Sequence, residues 1–289
     1  MPEATFVVWE VQHGSAAYVH TPGGKHIAVD LGTGSVGTSN SAFSPLLHLP
    51  CKGGVGQLDG LVITRPHRDH LGDIANLRTV PTKVLARPKH LTARDVRSDN
   101  ERGTGGVIER YLELDGRSTV PLKPGESPFE ASVNGGLEMQ IFTPTDCPRS
   151  NLNNHSLVVV ACYAGLKIVI PGDNEEPSRR ELLKTAEFRK AIKGTDVLVA
   201  PHHGRQAGFS SELFRHITPR LTIISDGPAS ATSATELYRR HTHKGGWTVH
   251  KRSGGTEKRR CLTTRKDGVV AVRFGQNRDG STYLNVRVD

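Results

Sequence analysis

Apolar and polar positions alternate at the start of the chain. "TFVVWEV" (5–11) alternates, "AAYVHT" (16–21) follows a Gly-Ser turn, and "KHIAVDLG" (25–32) follows a Pro-Gly-Gly turn. A period of two, broken by turn residues, predicts an antiparallel meander. "LDGLVIT" (58–64) is instead apolar almost throughout and β-rich, the pattern of a strand buried on both faces. It runs into "RPHRDH", after which "LGDIANL" has the spacing of a helix start and "TKVLAR" (82–87) reads as the next short strand. Residues 96–136 break the pattern, being rich in Gly, Pro, Ser and charge. They predict a long, loop-rich insertion with one short helix at "GGVIERYLE"; a lid, a substrate-contacting segment and a plain excursion all fit such a loop.

The second half repeats the style. "LEMQIFTP" is a strand, and "HSLVVVACYAGLKIVIPGD" is a hairpin turned at Ala164-Gly165. "PSRRELLKTAEFRKAIKG" (177–194) predicts one amphipathic helix ended by Gly194. "TDVLVAPHHG" is a buried strand ending in histidines, "SSELFRHITP" a short helix, "RLTIISDG" a strand and "SATELYRRHTHKG" a helix. "WTVHK", "RCLTT" and "VVAVRF" close the chain as strands. Apolar strands that deliver polar residues at their carboxyl ends gather those residues at one sheet edge, where α/β folds bind ligands.

Composition changes this picture little. A length of 289 residues suits one α/β unit spanning 1–289, and no apolar run approaches the ~20 residues of a membrane span. The start, "MPEATFVVWE", has neither a basic region nor a long apolar stretch, so no signal peptide is expected. The four cysteines lie far apart with no CxxC, so a disulfide framework is not expected and a cytoplasmic location is. Charge says more. The formal net charge is +9, and ten Lys or Arg fall between Arg239 and Lys266 against Glu257 alone. That run suits an anionic partner or, equally, a solvated edge.

The chemistry sits at strand ends. His67, Asp69 and His70 follow the first buried strand, Asp173 follows "IVIPG", and His202 and His203 follow "VLVAP"; His155 stands at a strand start. Imidazole nitrogens and carboxylates are the donors that Zn²⁺ or Mn²⁺ takes. Singly, each has a plain explanation: a turn or cap for Asp173, a surface pair for His202 and His203, a loop hydrogen bond for His155. Coming in this order, each at the end of an apolar run, they point to a metal site.

"PHRDHLGD", "IPGDNE" and "VLVAPHHG" resemble the metal-binding motifs of the metallo-β-lactamase superfamily. Within it the chain is most similar to the hydrolase domain of ComEC-type DNA-uptake proteins and their stand-alone relatives. "WEVQHGSAAYVHTPGGKHIAVDLGTG" resembles the opening of that group, with Glu10, Gln12, His13 and Ser15 departing from it, and "NNHSLVV" resembles its "NNxSLV". The likeness runs from about residue 5 to the C-terminal strands and leaves out 96–136. It implies a four-layer αββα sandwich with the metal site at one rim. It implies that Asp69, His70, Asp173 and His203 form one ion position, and that position 65, His67 and His155 form the other, bridged by Asp173.

Position 65, where the superfamily has its first histidine, is Arg. A guanidinium stays protonated and cannot ligate a metal. One tightly bound ion is therefore expected, zinc or manganese, with a second weak or absent. Asp69 or Asp173 then orients or deprotonates water, His202 touches the substrate or leaving group, and Arg65 clamps a phosphate in place of the lost ion. Two other readings of Arg65 are open: it points outward to an acid such as Asp73, or it marks an impaired site. The implied activity is that of a phosphodiesterase or nuclease acting on nucleic acid or nucleotides. Arg239, Arg240, Lys244, Trp247, Lys251, Arg252, Lys258, Arg259 and Arg260 are the candidate nucleic-acid contacts, Trp247 as a stacking surface. The alternatives are a small-molecule ester or lactone hydrolase and a catalytically weak nucleic-acid-binding subunit.

Overall fold

The computed structural model describes residues 2–33, 43–100, 106–227 and 232–289. The meander forms as β1 (Glu3–Val8), β2 (Ala17–His20) and β3 (His26–Val29), joined in register by antiparallel pairing. Two parallel additions, β4 (Leu58–Val62) and β5 (Thr82–Ala86), extend it at one edge. A second sheet starts with β6 (Glu138–Phe142), β7 (Val158–Tyr163) and β8 (Leu166–Ile170) and continues through β9 (Val197–Val199) and β10 (Leu221–Ile224). β11 (Trp247–Lys251) and β12 (Thr256–Arg259) return to the first sheet, β13 (Cys261–Thr263) closes the second, and β14 (Val270–Gln276) and β15 (Thr282–Val288) complete the first. The sheet orders are β12-β11-β15-β14-β1-β2-β3-β4-β5 and β13-β10-β9-β8-β7-β6.

Three apolar layers make this a helix–sheet–sheet–helix sandwich. Between the sheets, Phe6, Val19, Val272 and Phe274 share one buried cluster with Val159, Ile168, Val197 and Ile223. Outside the first sheet, Leu61, Ile63 and Leu85 pack with Leu46 and Leu49 of helix Pro45–Gly53, Val96 of helix Ala93–Asp99, and Ile108 and Tyr111 of helix Gly106–Arg117. Outside the second, Val158, Val160 and Leu198 pack with Leu182, Phe188 and Ile192. The expected αββα architecture is the observed one. Truncating a fully buried residue such as Phe274 to Ala would cost about 3–5 kcal/mol.

Three local differences stand out. The helix read over 177–194 is two, Glu176–Lys184 and Ala186–Ile192, because the Thr185 side chain accepts from Phe188 N and caps the second. In the insertion the expected helix forms as Gly106–Arg117 and 118–136 are turn and loop, but a further helix, Ala93–Asp99, started by a Thr92–Asp95 capping box, runs into its first residues. Residues 101–105 of that insertion lie outside the described residues. β12 and β15 are additional strands; β12 alternates exposed and half-buried residues and carries no apolar run. All four cysteines are free thiols. Among the described residues, no helix is long and apolar enough to cross a membrane.

Candidate metal centre

The first ligands come from the end of β4. The chain leaves the strand at Val62, passes Thr64, and turns into the short helix Arg68–Leu71, which carries Asp69 and His70. The turn is clamped to the end of β3: Gly32 lies so near that a Cβ there would stand 2.5 Å from the Asp69 carbonyl oxygen. Asp30, fully buried with φ 60°, accepts from Thr64 N and Thr64 Oγ1 (both 2.7 Å) and from His70 Nδ1 (2.7 Å). With Nδ1–H committed to Asp30, Nε2 of His70 faces inward, buried and without a hydrogen-bond partner.

The second sheet supplies the other two. Asp173 follows β8 through Gly172, a residue at φ 58° where a Cβ would meet Ser156 Cβ at 2.8 Å. Its backbone N–H donates to Ser156 Oγ at 3.1 Å. His203 lies past β9 in a left-handed turn, φ 50° at His202 and 52° at His203, a conformation that costs on the order of 1 kcal/mol or more per residue. Its Nδ1 donates to the Ser225 carbonyl at 3.1 Å, which aims Nε2 at the carboxylates.

The four side chains converge, with one donor atom from each within 4.8 Å of the others. His70 Nε2 is 3.3 Å from Asp173 Oδ1 and 3.8 Å from Asp69 Oδ2. His203 Nε2 is 3.2 Å from Asp69 Oδ2 and 3.4 Å from Asp173 Oδ2. Burial alone would raise the Asp69 and Asp173 carboxyls, but the Arg65 guanidinium and the two imidazoles hold both well below the usual range. Burial alone would lower the imidazoles, yet Asp30 lifts His70 to about 9 and Asp173 lifts His203 to about 10. The pocket demands positive charge.

Part of that demand is met by Arg65, which is 4% exposed and points inward. One terminal nitrogen lies 2.7 Å from Asp69 Oδ2 and 2.8 Å from Asp173 Oδ2. The other contacts His67 Nδ1 and Asn153 Oδ1. His67 Nε2 donates to Asp99 at 2.8 Å. The outward reading of Arg65 is thus corrected: Asp73 instead accepts from Ser44 Oγ and Leu46 N at the start of helix Pro45–Gly53. A phosphate clamp would require Arg65 to release carboxylates it already holds.

No family model matches the chain. ComE operon protein 3 of Bacillus subtilis is 26% identical over 175 residues, 60% of this chain and 20% of that protein. Competence protein ComA of Neisseria gonorrhoeae is 21% identical over 231 residues, 79% of this chain and 28% of that protein. The chain thus spans under a third of either curated relative. Among solved structures, the metallo-beta-lactamase fold protein YhfI of Bacillus subtilis aligns with a TM-score of 0.51 at 13% identity, covering 89% of this chain and 99% of that one. This chain has the metallo-β-lactamase fold.

A metallo-β-lactamase fold implies divalent metal, and Asp69, His70, Asp173 and His203 fit one ion. Zn–ligand bonds near 2.1 Å place tetrahedral ligand atoms ~3.4 Å apart, and each inward imidazole nitrogen lies 3.2–3.8 Å from an oxygen of both carboxylates. The expected ligand His155 and the expected catalytic residue His202 are placed differently. His155 is fully buried but donates Nε2–H to Pro148 O (3.3 Å) and pairs through Nδ1 with His90 (2.8 Å). His202 lies at the rim, its Nδ1 3.2 Å from Glu175 and its Nε2 3.9 Å from Asp173 Oδ2.

Sequence reasoning passed over Asp30, Asp99, Asn153 and His13. The His13 ring lies 4.8 Å from that of His203, and burial pushes its pKa down to about 4. Asp30 had a signal: it stands in "AVDLG", inside the stretch that carries the resemblance.

The part of the basic run on β11 and β12 lies elsewhere, while Arg265 pairs with Asp226, next to the Ser225 that His203 bonds. β11 and β12 are at the far edge of the first sheet from β4, six strand spacings from β4 to β11, roughly 30 Å at ~4.8 Å each. Many of its charges are paired: Arg239 and Arg240 with Glu236, Lys251 and Arg259 with Glu257, and Arg252 with Asp289. Arg260 donates to the Lys244 carbonyl. Lys244 and Lys258 are exposed. Trp247 packs against the core, its indole N–H on Leu284 O (3.0 Å) and the Arg220 guanidinium 5.1 Å from its ring centroid.

Proposed function

We propose that this chain is a metal-dependent hydrolase of phosphodiester bonds in nucleic acid or nucleotides, holding one divalent ion, zinc or manganese, on Asp69, His70, Asp173 and His203. The observation that carries this reading is the buried, partnerless Nε2 of His70 facing two carboxylates and a second imidazole. Bound there, a divalent ion supplies Lewis acidity toward a phosphoryl oxygen and brings the ionisation of water toward neutral pH.

The chain supplies the rest. The Asp69 side chain is 21% exposed, against 3% or less for His70, Asp173 and His203, so it faces the opening and is placed to orient a water by accepting its hydrogen bond. Burial holds the His202 pKa below the usual value, which keeps the ring neutral near pH 7 with a hydrogen to donate to a substrate oxygen. The ComEC-type resemblance and the net charge of +9 support phosphodiesters over esters or lactones. The distance of the basic residues on β11 and β12 from the site favours short substrates over a long polymer groove.

Turnover of single- and double-stranded DNA, RNA, cyclic nucleotides and a lactone panel, with Mn²⁺ or Zn²⁺, tests this. Metal-dependent cleavage of a phosphodiester, lost in Asp69→Ala, is the expected result. Turnover confined to lactones or esters would move the protein to that class. No metal-dependent activity on any substrate, with Asp69→Ala indistinguishable from the parent, overturns the proposal.

A further inference from the structure

The residues that would make a second ion position do not fit an ion: they fit an arginine. We infer that the Arg65 guanidinium is a built-in cation that permanently fills this position, with His67, Asn153 and Asp99 as its positioning residues. The inference rests on the metal-centre reading above and concerns the other half of the same site.

Three observations carry it. First, the terminal nitrogens of the guanidinium are already engaged. They hydrogen-bond Asp69, His67 Nδ1 and Asn153 Oδ1 and form an ion pair with Asp173 Oδ2 at 2.8 Å. Second, neither candidate imidazole has a nitrogen to spare. A guanidinium only donates, so His67 Nδ1 accepts and Nε2 carries the hydrogen that goes to Asp99. His155 spends both nitrogens on Pro148 O and His90. Third, the charge is already in place. Arg65 is buried and holds a carboxylate oxygen of Asp173, the group that would bridge two ions. A second divalent ion would have to approach that fixed charge in a site shielded from water.

The arrangement gives Arg65 a role that is neither ligand nor substrate clamp. It offsets part of the charge of Asp69 and Asp173 before any ion arrives and fixes the oxygens the single ion needs. Lysine is a poor substitute, since a compact ammonium cannot reach both carboxylates, His67 and Asn153 as the forked guanidinium does.

Ion counting by inductively coupled plasma mass spectrometry, with zinc titration calorimetry, tests this in the full chain without reference to turnover. The parent protein is expected to hold one zinc, and His67→Ala to keep that count, because His67 positions an arginine. Arg65→His, which frees His67 Nδ1 and an Asp173 oxygen, is expected to raise the count from one to two. Two ions in the parent, loss of an ion in His67→Ala, or a count still at one in folded Arg65→His overturns the inference. If Arg65→His does not fold, the parent and His67→Ala counts decide. A parent that holds no zinc, indistinguishable from His203→Ala, sinks instead the metal-centre reading.

Discussion

The two halves of the pocket are built alike and filled differently. In one half, His70 and His203 each give a far-side hydrogen to an acceptor, Asp30 and Ser225 O, and turn a nitrogen inward. In the other, His67 does the same: Asp99 takes the far-side hydrogen and Nδ1 turns inward. What the inward nitrogens face separates them. His70 and His203 face an open donor cluster, whereas His67 faces the Arg65 guanidinium. Asp69 and Asp173 belong to both halves. The second half thus carries a covalently attached cation among acceptors like those of the first.

Because Asp173 serves both halves, its loss should be the largest effect. Asp173→Ala removes a ligand and leaves Arg65 buried with a partner missing. Breaking such a buried pair costs about 3–5 kcal/mol, so chemical denaturation should show that drop together with zinc loss and lost turnover. Asp173→Asn, which keeps the shape, should lose the ion with a smaller stability cost. If Asp173→Ala proves as stable as the parent, the guanidinium does not depend on this carboxylate and the two halves are not coupled.

The residues behind the imidazoles distinguish the halves directly. Asp30→Ala leaves His70 free to rotate or change tautomer, and zinc affinity should fall about 10–100-fold. Asp99→Ala stands behind a histidine that holds an arginine, and zinc affinity should change by less than about 3-fold, since the loss is one buried hydrogen bond remote from the ligands. Calorimetry on both variants reads the difference. Equal losses would mean that His67 is itself a ligand and that the halves are alike in filling as well as in build.

Much of this was legible in the letters because it is local. The ligands of the ion half stand directly after apolar runs, so pattern and spacing find them, and the departure at position 65 is visible in "TRPHRDH". What that departure does was not legible. Arg65 meets Asn153 across 88 positions and Asp173 across the two sheets. Asp99 sits in a stretch read as loop, where a capping box makes a helix and brings it to His67. His155 is spent on His90 and a proline carbonyl, a pairing set by tertiary packing rather than by its own sequence neighbours. The basic run between 239 and 266 is contiguous in sequence, but its acids come from Glu236 and Asp289 outside it. A charge count over a window misses partners supplied by the fold.

The smallest effect concerns the protein without metal, where only one half titrates. Burial pulls the His70 pKa down, but Asp30, Asp173 and Asp69 lift it to about 9; His203, opposed by burial and lifted by Asp173 and Asp69, reaches about 10. Both lie above the unfolded value of ~6.5. The protonated imidazoles therefore contribute stability that is full below pH ~6.5 and is lost as pH rises through about 9 and then about 10. The arginine half adds no slope in that window, because Arg65 stays charged and its pKa is raised further by Asp173 despite burial. Chelator-treated protein should lose stability, read as a falling Tm, as pH rises from 7 to 10. Zinc-loaded protein should not show that loss over the same range, since ligating imidazoles are neutral at both ends. Thermal melts with chelator and with zinc separate the two curves. A metal-free curve that is flat, or that rises with pH, would mean that His70 and His203 are already neutral in the empty pocket. Arg65, a single positive charge, would then face two carboxylates alone, and an arriving ion would have no imidazole protons to displace.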